Sequence, residues 1–243
     1  MEDRIEVKIA PNPKKVAKAA AKLIFKLINE SKQKHFNIAL SGGTTPSLLY
    51  RRLAKKFQNQ IPWHIVHFWW GDERMVDSAS PDSNFQMVWQ SMLSKVPVDK
   101  AQIHTIDGGT SNDEAEALRY AAEIEQFVPI KNQLPCFDLI LLGLGEDGHT
   151  ASIFPDTLNL MESSSICAVV EHPVTAQKRI TLTGKIINNA SNILFLTTGE
   201  SKAVVVSNIM NSRESAREYP AYYILPDHGK MVWIIDEAAS AEI

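Results

Sequence analysis

The chain has 243 residues, of which 44% are hydrophobic and 22% are charged, the composition of an ordinary globular protein. Its net charge of −3 supplies no basic surface for nucleic acid, so we expect no nucleic-acid partner. No apolar run approaches membrane-spanning length, and the opening segment MEDRIEVKIA lacks the apolar core of a signal peptide. We therefore expect no membrane association and a cytoplasmic location.

The two cysteines agree with that location. Cys136 and Cys167 have neither the spacing of metal ligands nor that of a disulfide framework, which is typical of a reducing compartment. The sequence contains no internal repeat, no low-complexity tract and no linker that would force a division into two domains. We therefore expect residues 1–243 to form one α/β domain.

Strand and helix patterns alternate along the chain. Residues 5–9 alternate as a half-buried strand, and Asn12 with Pro13 forms the cap and first turn of a helix whose apolar residues span 16–28. The other predicted strands are 37–40, 65–69, 103–106, 137–142, 166–170, 180–182, 193–196 and 231–235. The other predicted helices are 46–57, 84–93, 113–127 and 201–210, and the segment 155–165 is predicted to be irregular. This alternation predicts an α/β fold with a mainly parallel sheet and helices on both faces.

The most informative segment is FDLILLGLGEDGHTASIFP, at 137–155. Its apolar strand ends in a glycine-rich turn, and glycines let the backbone turn sharply and approach a ligand closely. Asp147 and His149 lie in that turn, at the carboxyl end of a strand, where open α/β sheets bind their ligands. We predict that His149 is catalytic. The alternative is a histidine that only makes hydrogen bonds within its loop.

A second glycine turn, SGGTTP, connects the strand at 37–40 to the helix at 46–57. Gly42, Gly43 and Thr44 expose backbone N–H groups at the start of a helix, whose dipole adds partial positive charge. This arrangement favours phosphate, although the turn lacks the Gly-Lys-Ser/Thr of a Walker loop. The alternative is a plain connection between a strand and a helix.

A third polar cluster is Gly71-Asp72-Glu73-Arg74. Three consecutive charged side chains cannot all point one way, so we expect at least one of them to brace the others. Arg74 is suited to an anionic substrate group or a developing oxyanion. The alternative is a surface ion pair, worth at most about 1 kcal/mol.

The residues on either side of that cluster are assigned structural roles. Trp69 and Trp70, which precede it, are expected in the core. Ser83 and Asn84, which follow it, are interpreted as a helix cap rather than as ligand contacts.

Two basic residues, Arg179 and Lys202, accompany later strands. Arg179 opens the strand at 180–182, and Lys202 lies in the first turn of a helix, where a cation opposes the helix dipole. An anionic ligand nearby would offset that cost. Each residue alone is typical of solvated surface. Together with the glycine turn at 42–44 they predict a phosphate site, in which arginine supplies a planar fork and lysine a point charge.

Taken in order, these motifs resemble the 6-phosphogluconolactonases over about residues 10–236. The segments that carry the resemblance are GGT at 42–44, GDER at 71–74, SNF at 83–85, GLGEDGHTAS at 143–152, RIT at 179–181 and GESKA at 199–203. The GEDGHTAS run is highly specific, and the others are individually weak. The resemblance implies the modified doubly wound α/β fold shared with glucosamine-6-phosphate deaminases and ribose-5-phosphate isomerases. It also implies that the GGT turn, Arg179 and Lys202 hold the phosphate of a sugar-phosphate substrate.

A deaminase and a silent sugar-phosphate sensor are the two alternatives to a lactonase. Deaminases usually have a glutamate five residues after the corresponding histidine, just before a proline, and this carboxylate moves a proton. Here Phe154 occupies that position, and Arg74 is present where deaminases tend to lack an arginine. A silent sugar-phosphate sensor would keep the phosphate turn, but the intact His149 and the absence of an appended DNA-binding helix pair argue against it. Family members often have a proline where this chain has Asp77, so the shape of that loop is not predicted.

For a lactonase, the residues predict hydrolysis without a metal or an organic cofactor. Imidazole titrates near neutral pH. His149 can therefore take a proton from the water that attacks C1 of 6-phospho-D-glucono-1,5-lactone, and return one to the ring oxygen. Either Asp147 or Asp72 orients the imidazole, and Arg74 stabilises the oxyanion. No serine or cysteine lies in a nucleophile-elbow pattern, which argues against an acyl-enzyme. The oligomeric state is not predicted.

Overall fold

The computed structural model of the protein describes residues 4–243, so the first three residues of MEDRIEVKIA lie outside it. The strands are β1 (Ile5–Ala10), β2 (Phe36–Leu40), β3 (Val66–Trp70), β4 (Asp72–Arg74), β5 (Ile130–Lys131), β6 (Leu134–Pro135), β7 (Leu139–Leu142), β8 (Cys167–Glu171), β9 (Lys178–Leu182), β10 (Asn192–Thr197) and β11 (Lys230–Asp236). The helices are α1 (Pro13–Glu30), α2 (Thr44–Lys56), α3 (Asn84–Ser91), α4 (Asp113–Phe127), α5 (Gly184–Asn188) and α6 (Ala203–Met210).

A six-stranded sheet in the order β1-β11-β10-β7-β2-β3 forms the centre of the fold, and all of its strand pairs are parallel. Every residue of β2, β3 and β7 is buried, as expected of a parallel sheet covered on both faces. The predicted α/β class with a mainly parallel sheet is confirmed. β1 departs from the expected half-burial: as an edge strand it leaves Ile9 57% exposed.

Local sequence signals explain the first helix. The Asn12 side chain accepts a hydrogen bond from the Lys15 N–H at 3.1 Å, and Pro13 occupies the first turn. Val16, Ala20 and Ile24 then recur at helical spacing and are buried. The helix predicted at 113–127 is α4, and those at 46–57, 84–93 and 201–210 correspond to α2, α3 and α6 with shifted ends. The segment predicted to be irregular contains a 3₁₀ helix, Pro155–Met161.

The predicted strand at 103–106 is wrong. Only Ile103 pairs with β3, through a bridge to Phe68. Side chains of α4 bind the backbone at this point, since Arg119 donates to the Thr105 carbonyl at 2.7 Å and Glu116 accepts the N–H of Asp107, the residue after the predicted strand, at 2.7 Å.

A second, three-stranded antiparallel sheet in the order β4-β9-β8 lies beside the carboxyl end of β3. It contains the strands predicted at 166–170 and 180–182, together with Asp72–Arg74, which the sequence did not indicate as a strand. Gly71 links the two sheets, since its N–H donates to the Leu40 carbonyl at 2.9 Å and its carbonyl accepts the Leu182 N–H at 2.8 Å. Asp72 and Arg74 are thereby placed next to the ends of the central strands.

The core is built around the large aromatic residues of β3. Trp69 and Trp70 are 0% and 1% exposed, which confirms their predicted place. The hydroxyl of Tyr120 accepts the Trp70 N–H at 2.8 Å and donates to the Trp70 carbonyl at 3.0 Å. Buried hydrophobic residues from Ala10 to Ala239 form one connected cluster, which supports the proposal of one domain. Among residues 4–243, no helix is long and apolar enough to cross a membrane.

Candidate active site

A cleft of about 310 Å³ opens where the central parallel strands end. Its polar lining combines residues from the separate motifs, namely Gly42, Gly43, Thr44, Asp72, Arg74, Asn84, His149, Arg179 and Lys202. The structure thus brings together in the cleft lining every predicted site residue except Asp147. Asp147 does not line the cleft but contacts the His149 ring.

The glycine turn forms the wall of the cleft at the amino end of α2. Gly43 is the N-cap of α2, has a φ of +103°, and makes no side-chain capping bond. A Cβ on Gly42 would lie 1.9 Å from Asn84 Oδ1, so only glycine allows this approach. Thr45 Oγ1 lies 2.7 Å from Thr198 Oγ1, which ties the start of α2 to the segment after β10. The uncapped helix start is suited to an anion.

Two arginines lie side by side in the cleft. Arg74 in β4 and Arg179 in β9 are directly opposite each other in the antiparallel register, a position in which like charges repel. Their Nε atoms are buried and have no hydrogen-bond partner among residues 4–243. Burial lowers the pKa of Arg179, an effect that the Asp72 charge opposes. This excess of positive charge is what an anionic ligand would neutralise.

Asp72 and Glu73, which are neighbours in sequence, serve different parts of the structure. Asp72 faces the cleft and accepts a hydrogen bond from Ser152 Oγ at 2.8 Å, and Arg179 donates to the same hydroxyl at 3.3 Å. Glu73 points away and accepts the N–H groups of Asn84 at 2.8 Å and Phe85 at 2.7 Å. Burial raises the pKa of Glu73, although these backbone bonds oppose the shift. Of the three consecutive charged residues, Glu73 is therefore the one that braces the local structure, because it holds the start of α3.

The Ser83–Asn84 pair divides into two roles. Ser83 is the predicted cap of α3, since its hydroxyl accepts the Gln86 N–H at 3.1 Å. Asn84 lines the cleft, where its Oδ1 accepts a hydrogen bond from Arg74 at 2.5 Å and its amide donates to the Asp72 carbonyl at 2.8 Å. Sequence reasoning treated both residues as one cap and missed this position. The observation that reveals this position is that Asn84 leaves no room for a side chain at Gly42, and this contact can be seen only in the structure.

His149 is oriented by Asp147 and not by Asp72. His149 Nδ1 lies 2.6 Å from Asp147 Oδ1, which also accepts the His149 backbone N–H at 3.1 Å. Burial acts against ionisation of Asp147, but the bonds from His149 outweigh it and lower the pKa of Asp147 to about 2. Because Nδ1 is engaged, Nε2 is the ring nitrogen available to a ligand in the cleft.

The turn that carries this pair depends on its glycines. A Cβ on Gly145 would lie 2.1 Å from His149 Nδ1 and 2.3 Å from Asp147 Oδ1. Gly148 has a φ of +79°, in the left-handed region that favours glycine. Thr150 Oγ1 donates to the Gly143 carbonyl at 2.9 Å, which closes the turn onto the end of β7.

Lys202 reaches the cleft from the 3₁₀ helix Glu200–Lys202 that leads into α6. Burial lowers the pKa of its ammonium group, whereas the Glu146 carboxylate, whose Oε1 lies 3.9 Å from Nζ, raises it. Glu146 is 67% exposed, so the pair is weak. Lys202 is therefore a cation that a phosphate in the cleft can bind.

Phe154 takes the position at which deaminases usually have a glutamate. It is 0% exposed, and its ring centroid lies 4.9 Å from the His149 ring and 5.6 Å from the Arg179 guanidinium carbon. An aromatic ring thus packs against the histidine, and no carboxylate can act from that position. Within residues 4–243, no group of at least three His, Cys, Asp or Glu side chains is arranged to hold a metal ion.

The fold and the cleft define an α/β protein that presents a histidine–carboxylate pair beside a site for an anion. The family model for glucosamine-6-phosphate isomerases/6-phosphogluconolactonase matches residues 11–233. The chain belongs to this family.

Individual relatives agree with that assignment. A 6-phosphogluconolactonase of Haemophilus influenzae is 39% identical over 84% of this chain and 85% of its own. The solved 6-phosphogluconolactonase of Trypanosoma brucei is 28% identical, covers 99% of each chain and superposes with a TM-score of 0.88. A monomeric glucosamine-6-phosphate deaminase superposes with a TM-score of 0.83 at 21% identity over 98% of this chain and 100% of its own. This last likeness shows the shared fold alone.

Proposed function

We propose that the protein hydrolyses 6-phospho-D-glucono-1,5-lactone to 6-phospho-D-gluconate, as part of the oxidative pentose phosphate pathway in the cytoplasm. The observation that carries the proposal is the pairing of His149 Nδ1 with Asp147 at 2.6 Å beside a cleft with an excess of positive charge. The names of the relatives at 39% and 28% identity support the same substrate.

His149 acts as the general base in this proposal. Its Nε2 takes a proton from a water molecule, and the water oxygen attacks the C1 carbonyl of the lactone. The tetrahedral intermediate then expels the ring oxygen, which receives the proton back from Nε2. Asp147 holds the ring and stabilises the imidazolium that forms between the two steps, as its lowered pKa of about 2 favours the carboxylate form.

The cations of the cleft divide between the two ends of the substrate. Arg74 stabilises the oxyanion, a role in which loss of one donor typically costs about 10²–10³ in rate. The phosphate binds to Gly42, Gly43 and Thr44 at the start of α2, together with Arg179 and Lys202.

Asp72 has a supporting role at the phosphate end. It is 6% exposed and bonds to Ser152, which also accepts a hydrogen bond from Arg179. Through Ser152 the Asp72 carboxylate therefore fixes the Arg179 guanidinium in place, and the orientation of His149 is left to Asp147.

The experiment that tests the function is hydrolysis of freshly generated lactone, measured against its spontaneous rate. We expect acceleration that His149→Asn abolishes while binding of 6-phosphogluconate persists. His64→Asn, at an exposed histidine that does not line the cleft, is the matched control and should keep full activity. Glucosamine-6-phosphate is assayed in parallel. Release of ammonia without lactone hydrolysis would identify a deaminase, and neither activity in folded protein would leave only a binding function.

A further inference from the structure

We propose that Tyr219 is a positioning residue, whose ring holds the turn of Asp147 and His149 in the conformation that pairs these two side chains and at a fixed place relative to Lys202. The residue belongs to none of the motifs that predicted the site, and it does not line the cleft. The inference rests on the proposed function, because it assigns a purpose to holding His149 in place.

The first observation is the contact between Tyr219 and the glycine next to His149. A Cβ on Gly148 would lie 2.3 Å from Tyr219 Cγ and 2.4 Å from its Cδ1. The tyrosine ring therefore lies against the backbone of Gly148. A side chain at position 148 would displace the ring.

Backbone hydrogen bonds reinforce this contact. The Ala221 N–H donates to the Gly148 carbonyl at 3.0 Å, so the segment after Tyr219 also attaches to the turn. Within the turn, the Gly145 N–H donates to the His149 carbonyl at 2.8 Å and the Gly148 N–H donates to the Gly145 carbonyl at 3.2 Å. The turn is closed on itself, and Tyr219 and Ala221 fix it from outside.

The other end of the tyrosine is attached to α6. The Asn208 amide donates to the Tyr219 hydroxyl at 3.2 Å. Asn208 is 7% exposed and is itself held by Arg213, whose guanidinium donates to its Oδ1 at 3.3 Å and whose N–H donates to its carbonyl at 3.0 Å. Since α6 begins immediately after Lys202, one side chain touches both the catalytic turn and the helix of the phosphate-binding lysine.

This connection matters because the two groups come from different strands. His149 follows β7 and Lys202 follows β10, which are neighbouring strands of the central sheet, and beyond the strand ends Lys202 and Glu146 form a weak ion pair in which Glu146 is 67% exposed. A substrate held by its phosphate at Lys202 reacts only if His149 lies at the correct distance from its C1. A misplacement of about 1 Å can cost about 10²-fold in rate.

The variants Tyr219→Ala and Tyr219→Phe separate the ring from the hydroxyl. Tyr219→Ala is expected to lower kcat by at least about 10-fold with a smaller change in KM, because the phosphate contacts remain. Tyr219→Phe keeps the ring over Gly148 and is expected to stay within about threefold of the parent, since it loses one neutral hydrogen bond. Tyr223→Ala, in the same segment but with an exposed side chain, is the matched control and should leave kcat unchanged.

A readout independent of turnover is the protonation pattern of the His149 ring. In the parent, the Asp147 bond holds the proton on Nδ1, and ¹⁵N shifts of the ring report that tautomer. We expect Tyr219→Ala to move His149 toward the Nε2–H tautomer while the affinity for 6-phosphogluconate stays within about twofold. A merely structural role would lower the melting temperature without changing the tautomer of the folded protein.

The measurements distinguish failure of the Tyr219 proposal from failure of the proposed function. Unchanged kcat in Tyr219→Ala, or a lower kcat with an unchanged His149 tautomer, would overturn the proposal. If the parent had no lactonase activity, the proposed function would fail, and the ¹⁵N shifts would still show whether Tyr219 orients His149. If Tyr219→Ala did not fold, Tyr219→Leu would take its place, with the same direction of change expected and the same results overturning the proposal.

Discussion

Two polar clusters of this protein differ in how their charges are paired. In the first, between β3 and α4, His67 Nδ1 lies 2.9 Å from His104 Nε2, and His104 Nδ1 lies 2.6 Å from Glu123. Arg119 completes it with a bidentate contact to Glu116, in which both distances are 2.7 Å. In the second, the cleft, Arg74 and Arg179 face each other and keep unpaired Nε atoms in the described structure.

The difference indicates which cluster serves the fold and which serves a ligand. Buried polar groups of a structural network find their partners within the protein. A site that must bind an anion instead keeps cations desolvated and incompletely paired, and burial lowers the pKa of both Arg179 and Lys202. The cleft therefore holds incompletely paired positive charge, which the proposed phosphate would neutralise, whereas the network beside β3 has its partners within the protein.

The largest effect is expected from Asp147→Asn. The amide cannot hold a proton on His149 Nδ1 or stabilise an imidazolium as the carboxylate does, so kcat should fall by about 10²–10⁴. Steady-state kinetics at saturating lactone checks this, and the melting temperature should change little. Asp156→Asn, at an exposed carboxylate after the same loop, is the control. Retention of parental kcat by Asp147→Asn would remove the carboxylate from the mechanism.

The next effect concerns stabilisation by ligand. At a 6-phosphogluconate concentration about 100 times its Kd, the parent should gain about 2.7 kcal/mol of unfolding free energy. Arg179→Ala and Lys202→Ala should lose most of this gain, because each removes a cation that we propose binds the phosphate. Denaturant unfolding with and without ligand measures it.

The neighbour Lys178 provides the matched control for Arg179. Lys178 points to the surface and pairs with Asp113 at 2.7 Å, so Lys178→Ala should keep the full stabilisation by ligand. Equal loss in Lys178→Ala and Arg179→Ala would mean that general surface charge, and not the cleft, binds the phosphate.

Arg119→Ala tests the paired cluster. It leaves the Glu116 carboxylate, which is 6% exposed, without its cation, so the free energy of unfolding should fall by about 2 kcal/mol. Lactonase activity and stabilisation by 6-phosphogluconate should stay at parental levels. Arg179→Ala should show the reverse pattern, with ligand binding lost and the stability of the free protein kept. Loss of activity in folded Arg119→Ala would break the distinction between the two clusters.

The contrast also explains what the sequence could predict. Local signals sufficed where one short segment carries the structure: Asn12 and Pro13 predicted the start of α1, and the apolar runs predicted all six strands of the central sheet. Strand-end motifs predicted which residues gather in the cleft, because carboxyl ends of parallel strands meet at one edge.

Features that depend on distant partners could not be predicted in this way. The strand Asp72–Arg74 exists because β9 pairs with it, and residues 103–106 are not a strand because Arg119 binds the Thr105 carbonyl and Glu116 binds the N–H of Asp107, directly after them. The choice between Asp147 and Asp72 as the partner of His149 was open for the same reason, and the contact with Ser152 accounts for Asp72. No local sequence pattern indicated a role for Tyr219, because the proposed role depends on its contact with Gly148, which is distant in the sequence.

The smallest effect is a pH dependence of stability from the paired cluster. Burial, and then the neighbouring His104 and His35, lower the pKa of His67 from 6.5 to about 4. Between these two values the unfolded chain binds a proton that the folded protein does not, so stability is complete above pH 6.5 and falls as the pH is lowered toward 4. The slope from this one group is at most about 1.4 kcal/mol per pH unit, the limit for a single proton. His67→Phe should flatten the dependence in urea unfolding at pH 5 to 7, whereas His64→Asn, at an exposed histidine in the same segment, should leave it as in the parent. An unchanged slope in His67→Phe would show that protonation of His67 does not limit the stability of the paired cluster.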